Sequence, residues 1–222
     1  MRPEAAESDR NVMVADAQAP AVSIVVPVFN ESAGLARFDA RLSAMCDHLH
    51  RSVEVIYVDD GSRDRSLDVL TEIAARDKRV TIVALARNVG QHAAVLAGFA
   101  YARGDVVVTI DADLQNPPEE IPRLLAEVDA GYDVVGTRRS ARVDPFLRRA
   151  LSATVSRLAS LAVGVPMTDC GSMLRAYRRP VIDEVVQLAD RALFIPALAA
   201  WVATRPTEIA IAHGPRVAGR SR

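Results

Sequence analysis

The sequence of 222 residues predicts an α/β fold: a mostly parallel sheet with helices on both faces. Two observations predict this fold. Short β-branched runs alternate along the chain with longer stretches of helical character. The short runs are also nearly all apolar, which is typical of strands that are buried on both faces.

The elements follow one another in a regular order. Apolar, β-branched runs predict strands over residues 22–28, 53–58, 80–86, 105–110 and 132–137. Between them, helices are predicted over residues 31–50, 64–76 and 91–102, the last with small residues on its packing face. Ser62 or Asp64 is expected to cap the second helix. The helix through Glu127 is expected to open on Pro117 and Pro118, because proline suits a first helical turn and acids suit its positive end.

Composition excludes several protein classes. The chain has 27 Lys and Arg against 28 Asp and Glu, a net charge of -1, and half of its residues are hydrophobic. A nucleic-acid binder would carry a large positive excess, and a disordered acidic protein would lack this apolar fraction. No apolar stretch approaches the roughly 20 residues that cross a bilayer. We expect a disordered lead-in over residues 1–20 and one domain over residues 21–222.

The near-zero net charge conceals an uneven distribution. Residues 105–133 hold eight acids and one Arg, whereas residues 138–180 hold nine Arg and two Asp. One interpretation is a series of solvated helix faces. The other is a cation site beside an anion site, as an enzyme that handles phosphates needs.

Polar residues follow four consecutive predicted strands, whose carboxyl ends meet at one edge of a parallel sheet. They are Asn30 and Glu31, then Asp59 and Asp60, then Arg87 and Asn88, and finally Asp111, Asp113 and Gln115. Any one of them could be turn chemistry or a helix cap. Two carboxylates and an amide oxygen in the last group suit Mg²⁺ or Mn²⁺. Neither a dinucleotide-binding GxGxxG after the first strand nor a P-loop motif is present.

Three motifs carry a family resemblance. VSIVVPVFNE at 22–31, VDDGSRD at 58–64 and DADLQNPPEEIP at 111–122 resemble the family 2 glycosyltransferases of the GT-A fold. Within that family they are similar to the polyprenyl-phosphate sugar transferases, the dolichyl-phosphate mannose synthase-like group. NVGQH at 88–92, GYDVVGT at 131–137, GSMLRAYRR at 171–179 and FIP at 194–196 further resemble the branch that transfers a formamido-arabinose to undecaprenyl phosphate.

The resemblance implies roles for the polar strand ends. The nucleotide pocket would be lined by Pro27, Asn30 and Glu31, and the base or ribose held by Asp59 and Asp60. Asp111, Asp113 and Gln115 would hold the metal, Mg²⁺ or Mn²⁺, that bridges the donor diphosphate.

The Arg-rich segment would serve an acceptor that is a lipid phosphate. Arg138, Arg139 and Arg142 are expected after the fifth strand, with Arg138 the first choice for the lipid-phosphate contact; solvated loop charges are the alternative. Asp169 would orient or deprotonate the acceptor, or cap a turn. Arg175 would clamp phosphate or form a structural ion pair, and His92 is expected to be a packing or helix-start residue.

The last ten residues resemble the family's H-x-x-R-x-x-G-x-S-[KR] loop, which closes over the donor diphosphate and acceptor. Arg216, Ser221 and Arg222 are therefore candidate phosphate contacts, although the same stretch also reads as a basic tail. The resemblance implies that relatives continue from here into an amphipathic helix and membrane spans. The chain is then either naturally short or a fragment.

The sequence thus predicts an inverting, metal-dependent transferase that moves a sugar from a nucleotide sugar, UDP-linked, to a polyprenyl phosphate at the cytoplasmic face of the inner membrane. Its expected partners are the donor, the acceptor and the membrane surface, with no nucleic acid; a homo-oligomer stays open. One alternative is a family 2 transferase with a saccharide acceptor. The other is a nucleotide-sugar-binding module without turnover.

Overall fold

A computed structural model describes residues 19–139, 172–188 and 194–211. The strands are β1 (Val22–Val28), β2 (Val53–Asp59), β3 (Val80–Ala84), β4 (Val106–Thr109), β5 (Val134–Arg139), β6 (Arg175–Arg178) and β7 (Pro206–Ile211). The α-helices are α1 (Ser32–His48), α2 (Ser66–Arg76), α3 (Gln91–Tyr101), α4 (Ile121–Asp129), α5 (Arg179–Leu188) and α6 (Ile195–Val202). A 3-10 turn, Pro118–Glu120, precedes α4.

The described strands form one sheet in the order β3-β2-β1-β4-β6-β5-β7. All neighbours pair in parallel except β6, which is antiparallel to both β4 and β5. The predicted mostly parallel α/β fold is therefore confirmed. The sequence predicts no element after residue 137, so β6, β7, α5 and α6 were not expected. The four residues of β6, Arg-Ala-Tyr-Arg, contain no apolar run.

Helices cover the sheet on both sides, as predicted. One core joins the sheet to α1, α2 and α4, and includes Ile24, Phe38 and Leu124. The other joins it to α3, α5 and α6, and includes Val25 and Phe99. Successive residues of β1 point into opposite cores, which explains why that strand is apolar apart from Ser23.

The fifth strand is shifted from its predicted place. It covers residues 134–139 instead of 132–137, because Asp133 accepts hydrogen bonds from the backbone N–H groups of Thr204 and Arg205. Arg138 and Arg139 therefore end β5 and pair with Ala210 and Ile211, whereas the sequence analysis placed them after the strand.

Some predictions lie outside the described residues. They concern the lead-in up to residue 18, Arg142, Asp169 and the C-terminal Arg216, Ser221 and Arg222. Among the residues that the structure describes, no helix has the length and apolarity to cross a membrane.

A buried carboxylate ties three elements together at the amino ends of the strands. Glu54 is 5% exposed and accepts a hydrogen bond from the Ser23 hydroxyl at 2.6 Å. Arg103 donates to the same carboxylate from its backbone N–H at 2.7 Å and from its guanidinium at 2.7 and 2.9 Å. Burial alone would raise the pKa of Glu54, but these hydrogen bonds outweigh it and hold the pKa below its ordinary value.

Replacing this carboxylate should weaken the fold in a pH-dependent way. We expect Glu54→Gln to lower the free energy of unfolding at pH 7 by about 2 kcal/mol, because it removes charge-assisted hydrogen bonds. The lowered pKa of Glu54 means that its contribution is present above the unfolded value of 4.5 and is lost as the pH falls through the folded value. Urea denaturation of both proteins from pH 7 to pH 3 should show their difference shrinking. Asp68→Asn, which removes only an exposed ion pair to Arg65, is the control and should change little.

Candidate functional site

The candidate site lies where the sheet changes its winding direction. The chain proceeds from β1 to β2 and β3 on one side and returns to place β4 on the other side of β1. Strand ends beside such a switch point leave a crevice in which ligands bind in open α/β sheets. The segment that starts at Asp111 leaves β4 at this crevice.

The loops after β1 and β2 are joined by hydrogen bonds. The backbone N–H of Asn30 donates to the Ser62 hydroxyl at 3.0 Å, and the Asn30 side-chain oxygen accepts from the N–H of Arg63 at 2.8 Å. The N–H of Glu31 donates to the Ser66 hydroxyl at 2.9 Å. Asn30 has a positive φ of 55°, a conformation that Asn tolerates better than most residues. These contacts give Asn30 and Glu31 a local structural role at the predicted nucleotide pocket.

Asp64 organises the starts of two helices. Its carboxylate accepts from the N–H and the hydroxyl of Ser66 at 2.9 and 2.6 Å, and from the N–H of Ser32 at 3.1 Å. Partial burial would raise its pKa, yet these hydrogen bonds hold it below the ordinary value. The N-cap position of α2 is occupied by Arg65, so the prediction that Ser62 or Asp64 caps this helix was wrong. Asp64 instead binds the N–H of the first helical residue, Ser66. The Ser62 hydroxyl instead accepts from Asn30.

Asp59 and Asp60 are both 3% exposed, but their surroundings differ. One oxygen of Asp59 accepts from the N–H of Ser62 at 3.2 Å, and the other, Oδ1, is buried without a hydrogen-bond partner. Burying such an oxygen costs free energy of folding unless a donor group of a ligand or a water molecule binds it.

Both oxygens of Asp60 bind the loop before α3. Oδ1 accepts from the N–H of Val89 at 2.7 Å; Oδ2 accepts from the N–H of Gly90 at 3.0 Å and from the Asn88 amide at 2.8 Å. The carboxylate also lies at the positive end of the α3 dipole. Asp60 thus shapes the loop, and the sequence analysis missed the partner role of Asn88 because the two residues are 28 positions apart.

The segment after β4 alternates between partly exposed and buried residues. Asp111, Asp113 and Gln115 are partly exposed, whereas Ala112, Leu114 and Asn116 are buried. The buried Leu114 has a positive φ of 62°, which is unusual for a non-glycine residue and indicates local strain. The N–H of Gln115 donates to the Asp113 carboxylate at 3.0 Å. Packing of Leu114 thus accompanies the outward placement of the predicted metal ligands.

The start of α3 meets this segment. The Gln91 side-chain amide donates to the Asp111 carboxylate at 2.5 Å, a contact that sequence reasoning did not identify. His92 packs edge-on against Phe194, with ring centroids 5.2 Å apart, and burial lowers its pKa. Its Nδ1 is buried without a hydrogen-bond partner. The edge-on contact agrees with the packing role predicted for His92.

In the described residues, no group of three or more His, Cys, Asp or Glu side chains is arranged to hold a metal ion. The predicted metal set contains two carboxylates and an amide. A hard divalent cation accepts amide oxygens, water and ligand phosphates as further ligands, so two carboxylates fit it without a third.

Arg138 and Arg175, both predicted on the acceptor side, differ in exposure. Arg138 is exposed at the end of β5. Arg175 is 3% exposed, and its Nε donates to the backbone carbonyl of Ser172 at 3.0 Å. A phosphate clamp needs an accessible guanidinium, so the burial of Arg175 disfavours that role, and the structural ion pair stays a prediction.

Comparison with known proteins decides the family. The glycosyl transferase family 2 model matches residues 23–186, which is more than half of the chain. The chain belongs to glycosyl transferase family 2. That range begins in β1 and ends in α5, so it contains the crevice and every described strand except β7.

Curated relatives give a more specific likeness. This family 2 chain is 50% identical over 202 residues to an undecaprenyl-phosphate 4-deoxy-4-formamido-L-arabinose transferase of Pseudomonas fluorescens, covering 90% of the chain and 60% of the relative. A transferase of the same name from Aeromonas hydrophila is 48% identical, and the match covers 90% of the chain and 62% of that relative. The chain therefore spans about 60% of the length of these relatives.

Solved structures confirm the GT-A fold of this family 2 chain. Glucosyl-3-phosphoglycerate synthase of Mycobacterium tuberculosis, solved with Mn²⁺, UDP-glucose and phosphoglyceric acid, superposes with a TM-score of 0.60 at 21% identity. The superposition covers 89% of the chain and 73% of that protein. Staphylococcus aureus TarS (residues 1–349) superposes with a TM-score of 0.56 at 20% identity. That superposition covers 86% of the chain and 59% of TarS.

The turn after β2 should tolerate no side chain at Gly61. Its φ is +64°, and an added Cβ would lie 2.5 Å from the backbone carbon of Arg87. We expect Gly61→Ala to lower the free energy of unfolding by about 3 to 5 kcal/mol, since neither backbone can move without breaking the Asp60 contacts. Urea denaturation measures the loss, and an unchanged free energy of unfolding in Gly61→Ala would contradict the steric argument.

Proposed function

We propose that the chain is the catalytic part of an inverting, metal-dependent transferase that moves a sugar from a UDP-sugar to a polyprenyl phosphate, undecaprenyl phosphate, at the cytoplasmic face of the membrane. The observation that carries this proposal is the 50% identity to undecaprenyl-phosphate transferases over 90% of the chain. The crevice supports it, because the strand ends beside it carry carboxylates and amides suited to a metal-bound nucleotide sugar. The product would feed the modification of a cell-envelope glycan or lipid.

The donor nucleotide is assigned to the ends of β1 and β2. Pro27, Asn30 and Glu31 would form one wall, and the buried, unpaired Oδ1 of Asp59 is an acceptor that the ring N–H of uracil could satisfy. Asp60 would act through the loop it holds. The ring N–H of guanine would satisfy the same oxygen, so the choice of a UDP-sugar rests on the resemblance to the formamido-arabinose transferases.

The donor diphosphate is assigned to the segment after β4. Asp111, Asp113 and Gln115 offer hard oxygen ligands along that segment, which fits Mg²⁺ or Mn²⁺. When bound, such a cation neutralises charge on the departing nucleoside diphosphate. Gln91 would hold Asp111 in place.

The acceptor chemistry needs little base catalysis. A phosphate monoester is already an anion near neutral pH, so its oxygen can attack the anomeric carbon directly while the bond from that carbon to the diphosphate oxygen breaks. Attack opposite the leaving group inverts the configuration. The protein's task is to hold two anions together, and the exposed cation of Arg138 is assigned to the acceptor phosphate. Asp169, Arg216, Ser221 and Arg222 remain proposed contacts outside the described residues.

A transfer assay tests the proposed function. The purified chain would be incubated with Mn²⁺ or Mg²⁺, a panel of UDP- and GDP-sugars, and detergent-dispersed polyprenyl phosphate. We expect glycosylated lipid with a UDP-sugar and an inverted anomeric centre by NMR. Donor binding without transfer to lipid or saccharide acceptors would refute the transferase assignment for this chain and favour a binding module.

The metal assignment makes a separate prediction. We expect Asp113→Ala to remove the part of UDP affinity that depends on Mn²⁺, a loss of about tenfold or more, because one of two charged ligands is gone. Isothermal titration calorimetry of UDP with and without Mn²⁺ measures the metal-dependent part of the affinity. Asp105→Asn, an exposed acid before the opposite end of β4, is the control. Unchanged metal-dependent binding in Asp113→Ala would exclude this ligand set.

The acceptor assignment rests on Arg138. We expect Arg138→Ala to raise the KM for polyprenyl phosphate about tenfold while the donor KM stays within about twofold, because a charge-assisted hydrogen bond to phosphate is lost. Arg37→Ala, an exposed arginine on α1, serves as the control. An unchanged acceptor KM would show that Arg138 is one of the solvated charges considered above.

A further inference from the structure

The end of β5 is held by side chains after its pairing with β6 stops. Val134 and Val135 pair with Tyr177 and Ala176 of β6, and the ladder on that side ends there. On the other side, β5 stays paired with β7 through Arg139. A second set of contacts therefore has to hold the β6 side of the residues that lead to Arg138.

A pair of buried hydroxyl groups supplies the first contact. The Thr137 hydroxyl donates to the backbone carbonyl of Leu174 at 2.9 Å and lies 2.6 Å from the Ser172 hydroxyl. Because the Thr137 proton is used on Leu174, the Ser172 hydroxyl is the donor between the two. Both residues are buried, at 0% and 2% exposed. The pair joins residues 35 positions apart in the sequence.

Arg175 supplies the second contact from the other face of the sheet. Its side chain lies beside Gly136, where an added Cβ would be 3.1 Å from a guanidinium nitrogen. Its Nε donates to the Ser172 carbonyl. Ser172 is thus bound through its hydroxyl to Thr137 and through its carbonyl to Arg175. Buried hydrogen bonds of this kind are rigid, because breaking one leaves a polar group without water.

The residue next to this network is the proposed phosphate contact. Arg138 follows Thr137 directly and is exposed. A long side chain binds more tightly when its backbone is already fixed, because less freedom is lost on binding. We propose that Thr137, Ser172 and Arg175 are positioning residues that fix the end of β5 so that Arg138 meets the acceptor phosphate. This inference rests on the proposed function.

Hydroxyl variants test the inference. Thr137→Val keeps the shape but leaves the Ser172 hydroxyl without its acceptor. It should raise the KM for polyprenyl phosphate about tenfold and leave the donor KM within about twofold. Thr137→Ser should restore the wild-type value. Ser172→Ala removes the donor itself, so no buried donor is left unsatisfied, and it should raise the KM for polyprenyl phosphate by less. This variant keeps the inference testable if Thr137→Val folds poorly.

A matched control separates positioning from stability. Ser23 is also a fully buried hydroxyl, but it bonds Glu54 and Gly104 at the amino ends of the strands. Ser23→Ala should lower the melting temperature without changing the acceptor KM. An equal acceptor effect in Ser23→Ala and Ser172→Ala would overturn the inference.

A double variant tests whether Thr137 acts through Arg138. In an Arg138→Ala background, Thr137→Val should add less than about a twofold change in acceptor KM, because the group it positions is absent. A full additional tenfold change would refute the positioning role.

Hydrogen exchange distinguishes failure of the inference from failure of the proposed function. If the wild-type chain transfers no sugar to polyprenyl phosphate, the proposed function fails, but exchange still reports on the end of β5. Thr137→Val should speed exchange at the Arg138 and Arg139 amides about tenfold or more, and Ser23→Ala should not. Unchanged exchange in Thr137→Val would reject the network as the support of this strand end.

Discussion

Parallel pairing of β1 with β2 on one side and β4 on the other is the constraint on which the candidate site depends. Val28 lies opposite Asp59, and Val25 lies opposite Thr109, so the residues that follow these strands emerge at one edge. The strands themselves contain almost no polar side chain that could take part in chemistry. Their contribution is the alignment of three loops, each of which carries carboxylates or amides.

This alignment needs more than hydrophobic burial. A slip of one residue would move every side chain of a strand to the opposite face, where it no longer fits the packed core. Polar contacts at the strand ends specify the register further, and the hydrogen bond from Ser23 to Glu54 joins facing residues of β1 and β2. Asn30 bound to Ser62 and Arg63 joins the first two loops, and Asp60 joins the second loop to the start of α3. The same residues that border the crevice thus also define how its walls are aligned.

The first half of the fold was readable from the sequence because each strand is a continuous apolar run that ends on a polar turn. Residues 22–28 agree with the observed strand. The antiparallel β6 was not readable, because Arg175 and Tyr177 acquire their burial only from β4, β5 and their neighbours. The shift of β5 has a similar origin: Asp133 is held by a turn 71 residues later in the sequence. The outward placement of Asp113 was predictable from the motif, whereas the structural use of Asp60 depends on a loop that no local pattern reveals.

Pro27 lies in the middle of a sheet, where proline is normally excluded. Val25 accepts a hydrogen bond from Ile110 on the β4 side, and two residues later Pro27 faces the same side, past the point where β4 ends. The missing N–H therefore breaks no ladder bond. It also means that another extended segment cannot continue the sheet along β1 at this point. The proline thus keeps the mouth of the crevice from being sealed by the protein's own backbone or by a strand of a neighbouring molecule.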